Sequence, residues 1–397
     1  MKTLNGLCRI GFACFLGVLT VSTYAAPKTL AVGPQSAMPS VQSTHSRKLF
    51  PIQRNRLWGY IDNQGTVKIE PQFQMVDNFS EGLAAVQLKG KWGYIDETGK
   101  VVIEPRFTYA FSFSEDLAAI YEGGAFDPNN HTMQGGQFLF IDRKGAAVPG
   151  LGGNNVRSFS EGLVAVQPKE KSNWLYLDKK GDPLEKFDDY SRAGDFKEGL
   201  AIVYVDKSHS GWSEMDKIRY NFQYIDKTGV VIFRPKLGYE GYDFSEGLAI
   251  GTDLRGFLWA SDRTGKEIFR LRAMPLSSPQ VGFTEGLALV CVYNSKCERC
   301  CDAALIDKTG KVIKTLAEKI GETGQYRENL CRVNLQTSRI QGAEDQWGYV
   351  DNTGQMKIAP VFLFAGDFEG GLARVATREK WGYINHSGQF VWSASRL

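Results

Sequence analysis

The stretch that decides the fold is Leu83–Pro105, LAAVQLKGKWGYIDETGKVVIEP. Its turn residues predict two tight turns, one at Lys89-Gly90 and one from Asp96 to Gly99. Asp hydrogen-bonds the turn backbone, and Gly adopts the positive φ that other residues resist. Pro105 has no N–H to donate and is expected to end the last strand. The result is a three-stranded antiparallel meander with strands at Leu83–Leu88, Lys91–Asp96 and Lys100–Glu104.

Both faces of this meander are apolar. Strand residues alternate between faces, so Trp92 and Tyr94 point one way while Gly93 and Ile95 point the other. A short sheet with no polar face is expected to lie between two other sheets, and one such sheet would be only marginally stable alone. Stacked copies of the unit remove both difficulties.

The unit recurs nine times. Each copy contains an Asp turn before its third strand, with Asn385 replacing Asp in the ninth, and a Gly follows three residues later. The copies start at Leu49, Leu83, Leu117, Leu163, Leu200, Leu248, Leu287, Leu330 and Leu372.

Length variation is concentrated in the first hairpin of the unit. The distance from starting Leu to turn Asp is 13 residues in units one, two and nine, and 20 or more in units three, five, seven and eight. Equivalent positions in a repeat array fall on one edge of the assembly, and insertions there commonly form the binding face.

Two motifs accompany the repeat: Lys-Trp-Gly-Tyr-Ile-Asp in the second strand, and Phe-Ser-Glu-Gly-Leu in the connector at Phe79–Leu83. Together they resemble the bacterial WG-repeat (KWG) family over Leu49 to about Trp392. The resemblance implies a β-rich repeat protein and carries no catalytic residues to transfer. Trp-Gly is intact in four units, at Trp58, Trp92, Trp347 and Trp381.

The predicted fold is therefore all-β, an array of nine three-stranded antiparallel meanders in a solenoid-like or superhelical stack. The alternative is a closed ring like a β-propeller. A fourth strand hidden in the connector would favour the ring, because propeller blades usually have four strands.

Three segments are expected. Residues 1–25 read as a secretory signal peptide, with Lys2 and Arg9 before the apolar run Ile10–Val21 and small residues at a cleavage site after Ala25. Residues 26–47 are Pro-, Ser-, Thr- and Gln-rich and are expected to form a disordered leader. Residues 48–397 form the array. The expected location is periplasmic or extracellular.

Composition limits the partners. The formal charge of +3 falls to +1 without Lys2 and Arg9, and no basic block remains in the sequence, so nucleic acid is not an expected partner. No apolar run after the signal is long enough to span a membrane.

The connector Glu recurs in seven units, from Glu81 to Glu328. A row of carboxylates could bind cations, but each unit offers one Glu with no partner Asp at fixed spacing. Hydrogen bonding to neighbouring backbone is the favoured interpretation. The four histidines are scattered, and no catalytic motif or phosphate loop is present. No metal, cofactor or catalytic residue is therefore predicted.

Four cysteines cluster in the inserted hairpin of unit seven: Cys291, Cys297, Cys300 and Cys301. In an exported chain they predict disulfides, with Cys291 and Cys301 as a plausible cross-hairpin pair. A zinc knuckle is the rival, because Cys297 and Cys300 have ligand-like spacing. The fifth, Cys331, is the candidate for a free thiol.

The inserted loops are the predicted ligand contacts. Aromatic side chains among polar loop residues can hold a glycan or a peptide, although they can equally fold back onto their own loops. The candidates are Phe126, His131, His209, Trp212 and Arg339. The predicted function is a non-catalytic exported scaffold that binds a protein or a cell-envelope polysaccharide. The alternatives are a glycan-active enzyme using residues such as Asp127, Glu214 or Glu344, and a purely structural spacer.

Overall fold

The computed structural model describes residues 48–127, 132–169, 172–184, 190–205, 222–235, 238–253, 255–276, 282–293, 301–335 and 346–395. Within these ranges the chain forms strands, turns and bends without a helix, so no described helix could cross a membrane. The strands form nine small antiparallel sheets and one inserted hairpin. Each sheet corresponds to one predicted unit and is called a blade below.

The strands of blades one to three come first. Blade one has β1 (Phe50–Arg54), β2 (Leu57–Ile61) and β3 (Val67–Phe73). Blade two has β4 (Met75–Val76), β5 (Leu83–Leu88), β6 (Lys91–Asp96) and β7 (Val101–Phe107). Blade three has β8 (Tyr109–Ala110), β9 (Ala118–Glu122), β12 (Gln137–Ile141) and β13 (Ala147–Gly153), with the inserted hairpin β10 (Ala125–Asp127) and β11 (Thr132–Gln134).

Blades four to six follow the same order. Blade four has β14 (Asn155–Val156), β15 (Leu163–Gln167) and β16 (Leu175–Asp178). Blade five has β17 (Tyr190–Ala193), β18 (Leu200–Val205), β19 (Phe222–Asp226) and β20 (Val231–Phe233). Blade six has β21 (Gly238–Gly241), β22 (Ala249–Asp253), β23 (Leu258–Ser261) and β24 (Glu267–Leu271).

Blades seven to nine complete the array. Blade seven has β25 (Ala273–Pro275), β26 (Leu287–Tyr293), β27 (Cys301–Asp307) and β28 (Val312–Thr315). Blade eight has β29 (Ile320–Thr323), β30 (Leu330–Leu335), β31 (Gln346–Asp351) and β32 (Met356–Phe362). Blade nine has β33 (Phe364–Ala365), β34 (Ala373–Ala376), β35 (Lys380–Ile384) and β36 (Phe390–Ser395).

The nine predicted units are confirmed, but most contain one strand more than expected. Seven of the described sheets have four strands, because a short strand just before each connector pairs with the strand that follows it. In blade two this is β4, in which Val76 pairs with Val86. The connector between them makes a two-residue turn that Ser80 and Leu83 close with two backbone hydrogen bonds.

The third strand of the predicted unit also runs further than expected. It continues through Pro105 to Phe107, so the prediction that Pro105 ends the strand is wrong. The register of the β6–β7 pairing shifts twice. At such an irregularity a proline is tolerated, because the ladder requires no N–H from that residue.

The same irregularity explains the Trp-Gly motif. A Cβ added to Gly93 would lie 2.4 Å from the carbonyl oxygen of Ile103 and 2.6 Å from the nitrogen of Pro105. Only glycine leaves room for this close approach of the bulged strand. In blade three Leu139 replaces the glycine, and its partner across the sheet is Gly152. In this blade, the glycine that leaves room for the close approach therefore lies on the other strand of the pair.

Each blade is packed on both faces, as its two apolar faces predict. On one face of blade two, Ala84, Val86 and Ile95 pack with Tyr60 and Ile69 of blade one. On the other face lie Trp92 and Tyr94, which pack with blade three residues such as Phe113 and Ile120.

The array closes into a ring, which is the alternative named from the sequence and not the open stack. Blade nine packs on blade one through a shared core in which Phe50, Ile61, Tyr383 and Trp392 are buried. The Tyr383 hydroxyl donates to the Pro51 carbonyl at 2.9 Å, across 332 residues of chain. The molecule is a nine-bladed arrangement like a β-propeller.

The ring has two distinct faces. In an antiparallel meander, alternate loops lie at the same end of the strands. The connectors and the Asp turns therefore share one face, called the connector face. The hairpins between the second and third strands of the four-stranded blades lie on the other, called the hairpin face, as does the equivalent β1–β2 hairpin of blade one. Contacts confirm this pairing: the turn residues Arg143 and Lys179 bond the connector carbonyls of Glu81 and Glu115.

Candidate functional site

A chain of carboxylates links the connectors around the ring. Each connector Glu has φ between 53° and 55°, a conformation that side chains other than Gly, Asn and Asp rarely adopt. Its carboxylate accepts a backbone N–H from the next connector at 2.5–3.2 Å. The hydrogen-bonding interpretation of these residues is therefore the one the structure supports. The Glu residues are Glu81, Glu115, Glu161, Glu198, Glu246, Glu285 and Glu328.

Two further side chains of the repeat join neighbouring blades. The Tyr of Lys-Trp-Gly-Tyr donates its hydroxyl to a carbonyl of the next blade, as Tyr94 does to Phe111 at 2.8 Å. Burial raises the pKa of the Tyr94 phenol well above its ordinary value, so the hydroxyl remains a donor. The connector Ser does the same, as Ser80 donates to the carbonyl of Phe113 at 2.7 Å. The motifs thus act between blades as well as within them.

A cavity of about 970 Å³ is lined by residues of five consecutive blades, four to eight. Most of the lining comes from equivalent positions in those blades, namely the short first strands and the connectors, whereas Trp174, Ile202 and Tyr204 lie elsewhere in blades four and five. In a ring of blades, equivalent positions from five neighbours meet only around the axis. We call this space the axial cavity.

The axial cavity carries charges of both signs. Arg157 donates to both carboxylate oxygens of Asp195, at 2.6 and 3.1 Å, and this hydrogen bonding raises the pKa of the Arg157 guanidinium. Lys197 pairs with Asp243 at 2.9 Å. Each pair joins one blade to the next, so the charges form a row along the wall.

Aromatic side chains complete the wall. Trp174, Tyr204 and Tyr242 line the same space, and the Arg192 guanidinium lies 4.8 Å from the centre of the Tyr204 ring. A surface that combines charges with amphipathic rings can hold a polar ligand by ionic contacts and by ring contacts together.

Two of the cavity cations occur where the repeat departs from its own pattern. The residue after the connector aromatic is Ser in units two, three, four and six, but Lys197 in unit five and Arg327 in unit eight. Both substituted positions line the axial cavity. Sequence reasoning missed them because it treated the connector as structural, although aligning the connectors would have shown the two cations.

Of the five predicted loop contacts, Phe126 lies within the described part of the chain. Phe126 lies in β10, opposite Met133 in the inserted hairpin of blade three. The other candidates, His131, His209, Trp212 and Arg339, fall outside the described residues, as do Glu214 and Glu344 of the enzyme alternative. Asp127 is the last residue of β10. The inserted hairpin β10–β11 extends from the hairpin face. All the insertions were expected to lie on one such edge of the array.

The cysteines follow the sequence expectation where they are described. Cys291 and Cys301 form a disulfide with a Cα–Cα distance of 5.3 Å. Cys297 and Cys300 lie outside the described residues. Cys331 is buried and free, and burial raises the pKa of its thiol well above the ordinary value. Among the described residues, no group of three or more His, Cys, Asp or Glu side chains is arranged to hold a metal ion.

Comparison with known proteins supports both the repeat and the fold. A crystal structure described as that of the eukaryotic initiation factor aligns with a TM-score of 0.60 at 10% identity, over 88% of this chain and 96% of that chain. BamB from Moraxella catarrhalis aligns with a TM-score of 0.42 at 12% identity, over 73% of this chain and 89% of that one. At these identities the first likeness concerns the fold alone. No curated protein sequence matches the chain.

The family comparison concerns the units themselves. The family model of the WG containing repeat matches residues 58–92, 92–124, 176–207 and 347–381. The matched stretches include three of the four intact Trp-Gly pairs, at Trp58, Trp92 and Trp347, and parts of units four and five, in which that pair is replaced. The remaining blades share the same Gly turn, connector and strand order. In these four stretches, which make up about a third of the chain, the protein is similar to the WG containing repeat.

Proposed function

We propose that this ring is a non-catalytic, exported interaction scaffold that holds a segment of a partner protein in the axial cavity. The observation that carries the proposal is the position of Lys197 and Arg327. Both replace the Ser that links connectors elsewhere, and both line the cavity. At Lys197 an ion pair with Asp243 of the next blade takes the place of that hydrogen bond. Both substitutions bring positive charge to the wall of the cavity.

The mixture of groups favours a peptide over a uniform polymer. Besides the two cations, the wall has carboxylates such as Asp195 and Asp243 and the rings of Trp174 and Tyr204. A polypeptide supplies charges of both signs, apolar side chains and backbone groups within a short length. Arg and aromatic residues are also the types enriched at protein interfaces.

Export is part of the proposal. The N-terminal sequence has the pattern of a signal peptide, and the Cys291–Cys301 disulfide suits an oxidising compartment. We therefore expect the mature chain in the periplasm or outside the cell, with a protein of the envelope as its partner.

Site-specific photo-crosslinking tests the proposal. A benzoylphenylalanine at Thr284, in the cavity wall, is expected to form an adduct with one partner in the envelope fraction. The same group at Thr98, in an exposed turn of blade two, serves as the control and should not. The partner is then purified and its affinity measured by calorimetry.

The matched variant restores the repeat consensus by Lys197→Ser and Arg327→Ser. Two partly exposed charged contacts of about 0.7 kcal/mol each correspond to about tenfold weaker binding. Unchanged affinity would remove the cavity from the proposal. Absence of any adduct at Thr284 would favour the structural spacer. Turnover of an envelope glycan that Asp127→Ala, Glu214→Ala and Glu344→Ala together abolish would establish the enzyme alternative.

A further inference from the structure

Positive charge is concentrated on the hairpin face of blades nine, one and two. The hairpins span residues 377–380, 54–57 and 88–91, and Glu379 is their one acidic residue. Their six cations are Arg54, Arg56, Lys89, Lys91, Arg378 and Lys380. We call these six residues the basic rim. It is separate from the axial cavity and does not depend on that cavity binding a ligand.

Closure of the ring creates the basic rim. Trp58 and Trp381 stand with ring centres 6.1 Å apart across the seam between blades one and nine. The Arg374 guanidinium lies 4.7 Å from the Trp381 ring and 5.9 Å from the Trp58 ring. The hairpins of blades nine and one, more than 300 residues apart in sequence, are thereby neighbours. Blade two follows directly, through the core it shares with blade one.

Lys380 is half-buried, with its ammonium group 4.1 Å from the centre of the Phe390 ring, and the other five rim cations are exposed. Arg54, Arg56, Lys89 and Lys91 are exposed, and none of the four forms an ion pair within the described part of the chain. Three cations of the connector face, Arg143, Lys179 and Lys227, each pair with a connector Glu. Charge on the hairpin face is therefore available to a ligand.

Two of these cations occupy backbone positions that favour other residues. The hairpins of blades one and two are two-residue turns, with φ of 50° and 63° at Asn55 and Arg56, and 50° and 74° at Lys89 and Gly90. Such turns are normally built from Asn, Asp and Gly. Arg56 and Lys89 hold charge there against that preference.

The chemistry of the rim points to one kind of anion. Single-stranded nucleic acid is usually held by bases stacked on open aromatic rings, whereas Arg374 lies over Trp58 and Trp381 here. Membrane-bound surfaces insert apolar side chains, and Leu57 is the one large apolar side chain exposed among the described rim hairpins. Spaced cations suffice for a polymer that carries one carboxylate per unit. We propose that the basic rim binds an acidic polysaccharide.

The test uses the full mature chain and polygalacturonate as the probe, with affinity measured by calorimetry at several salt concentrations. The rim variant combines Arg54→Ser, Arg56→Asn, Lys89→Asn and Lys91→Ser, since Asn tolerates the positive φ of the two turn positions. The control removes four exposed lysines from the turns of the connector face: Lys144→Ser, Lys180→Ser, Lys266→Ser and Lys311→Ser. Both variants change the net charge equally.

We expect the rim variant to bind at least about tenfold more weakly while the control stays within about twofold of wild type. Wild-type binding should weaken as salt rises. An equal loss in both variants would show that net charge alone is responsible and would overturn the proposal. So would tighter binding of single-stranded DNA or of anionic phospholipid vesicles than of polygalacturonate. If the fourfold variant fails to fold, Lys91→Ser with Lys89→Asn tests the same site.

Discussion

Removing one hydroxyl from the seam tests whether the array is closed. In blade two the carbonyl of Ala85 accepts the backbone N–H of Asp77 at 2.9 Å. The equivalent carbonyl in blade one belongs to Pro51, and it accepts the Tyr383 hydroxyl instead. Tyr383→Phe keeps the ring of this side chain, which is 4% exposed, and removes only the donor.

The expected loss follows from that geometry. A hydrogen bond contributes about 0.5–1.5 kcal/mol net, and a buried acceptor left without a donor adds to the cost. We expect Tyr383→Phe to lower the free energy of unfolding by about 1–2 kcal/mol. For the roughly 300 residues that the structure describes, this corresponds to a fall in melting temperature of about 2–3 °C.

The matched control is Tyr94→Phe. It removes an equivalent hydroxyl, bonded at 2.8 Å to a carbonyl only 17 residues away. Both variants should lose similar stability in urea titrations. Hydrogen exchange separates them: Tyr383→Phe should speed exchange in residues 49–61 and 380–395, and Tyr94→Phe in blades two and three. An open array predicts a loss for Tyr94→Phe and none for Tyr383→Phe, and that result would refute the closed ring.

Three further changes test the blades themselves. Gly93→Ala places a Cβ against the carbonyl oxygen of Ile103 and should cost about 1–3 kcal/mol in urea unfolding; a cost near zero would contradict the close approach. Hydrogen bonds from Thr hydroxyls lower the pKa of three turn carboxylates, those of Asp96, Asp262 and Asp307. The stability that these carboxylates contribute is therefore present above the ordinary carboxyl pKa and is lost as the pH falls through the lowered pKa. Replacing the three with Asn, which unit nine uses at Asn385 with the same contacts, should reduce the loss of melting temperature between pH 5 and pH 2; equal acid sensitivity would contradict this. Wild type and Cys331→Ser should show the same number of reactive thiols when native and differ by one thiol after unfolding, because Cys331 is buried; a difference in the native state would show that the site opens.

Local chemistry in the sequence predicted most of each blade. The Asp turn, the positive φ of its Gly and the alternation of strand residues involve neighbours only a few positions apart. The two-faced burial of Trp92 and Ile95 followed from the same alternation. The Cys291–Cys301 pair could also be predicted from the sequence, since both residues flank one hairpin.

The sequence predicted the candidate sites much less well than the blades. Lys197 and Arg327 are 130 residues apart, and they look like surface substitutions until the ring places both at one cavity. The basic rim joins residues of the first two units to residues of the last, so the sequence contains no basic block there. Charges that meet only through tertiary contacts leave no local pattern.

The sequence by itself determined that the chain is built from nine copies of one antiparallel unit, because turn residues and two-residue periodicity act over short distances. Whether those copies form an open stack or a ring was decided only by the tertiary structure. Both arrangements bury the two faces of blades two to eight, so the hydrophobic pattern of those blades is identical for them. The angle between neighbouring sheets separates the two arrangements, and it depends on how rings such as Tyr94 and Phe113 pack between blades. Repeated over nine blades, that angle brings Tyr383 to Pro51 and closes the ring.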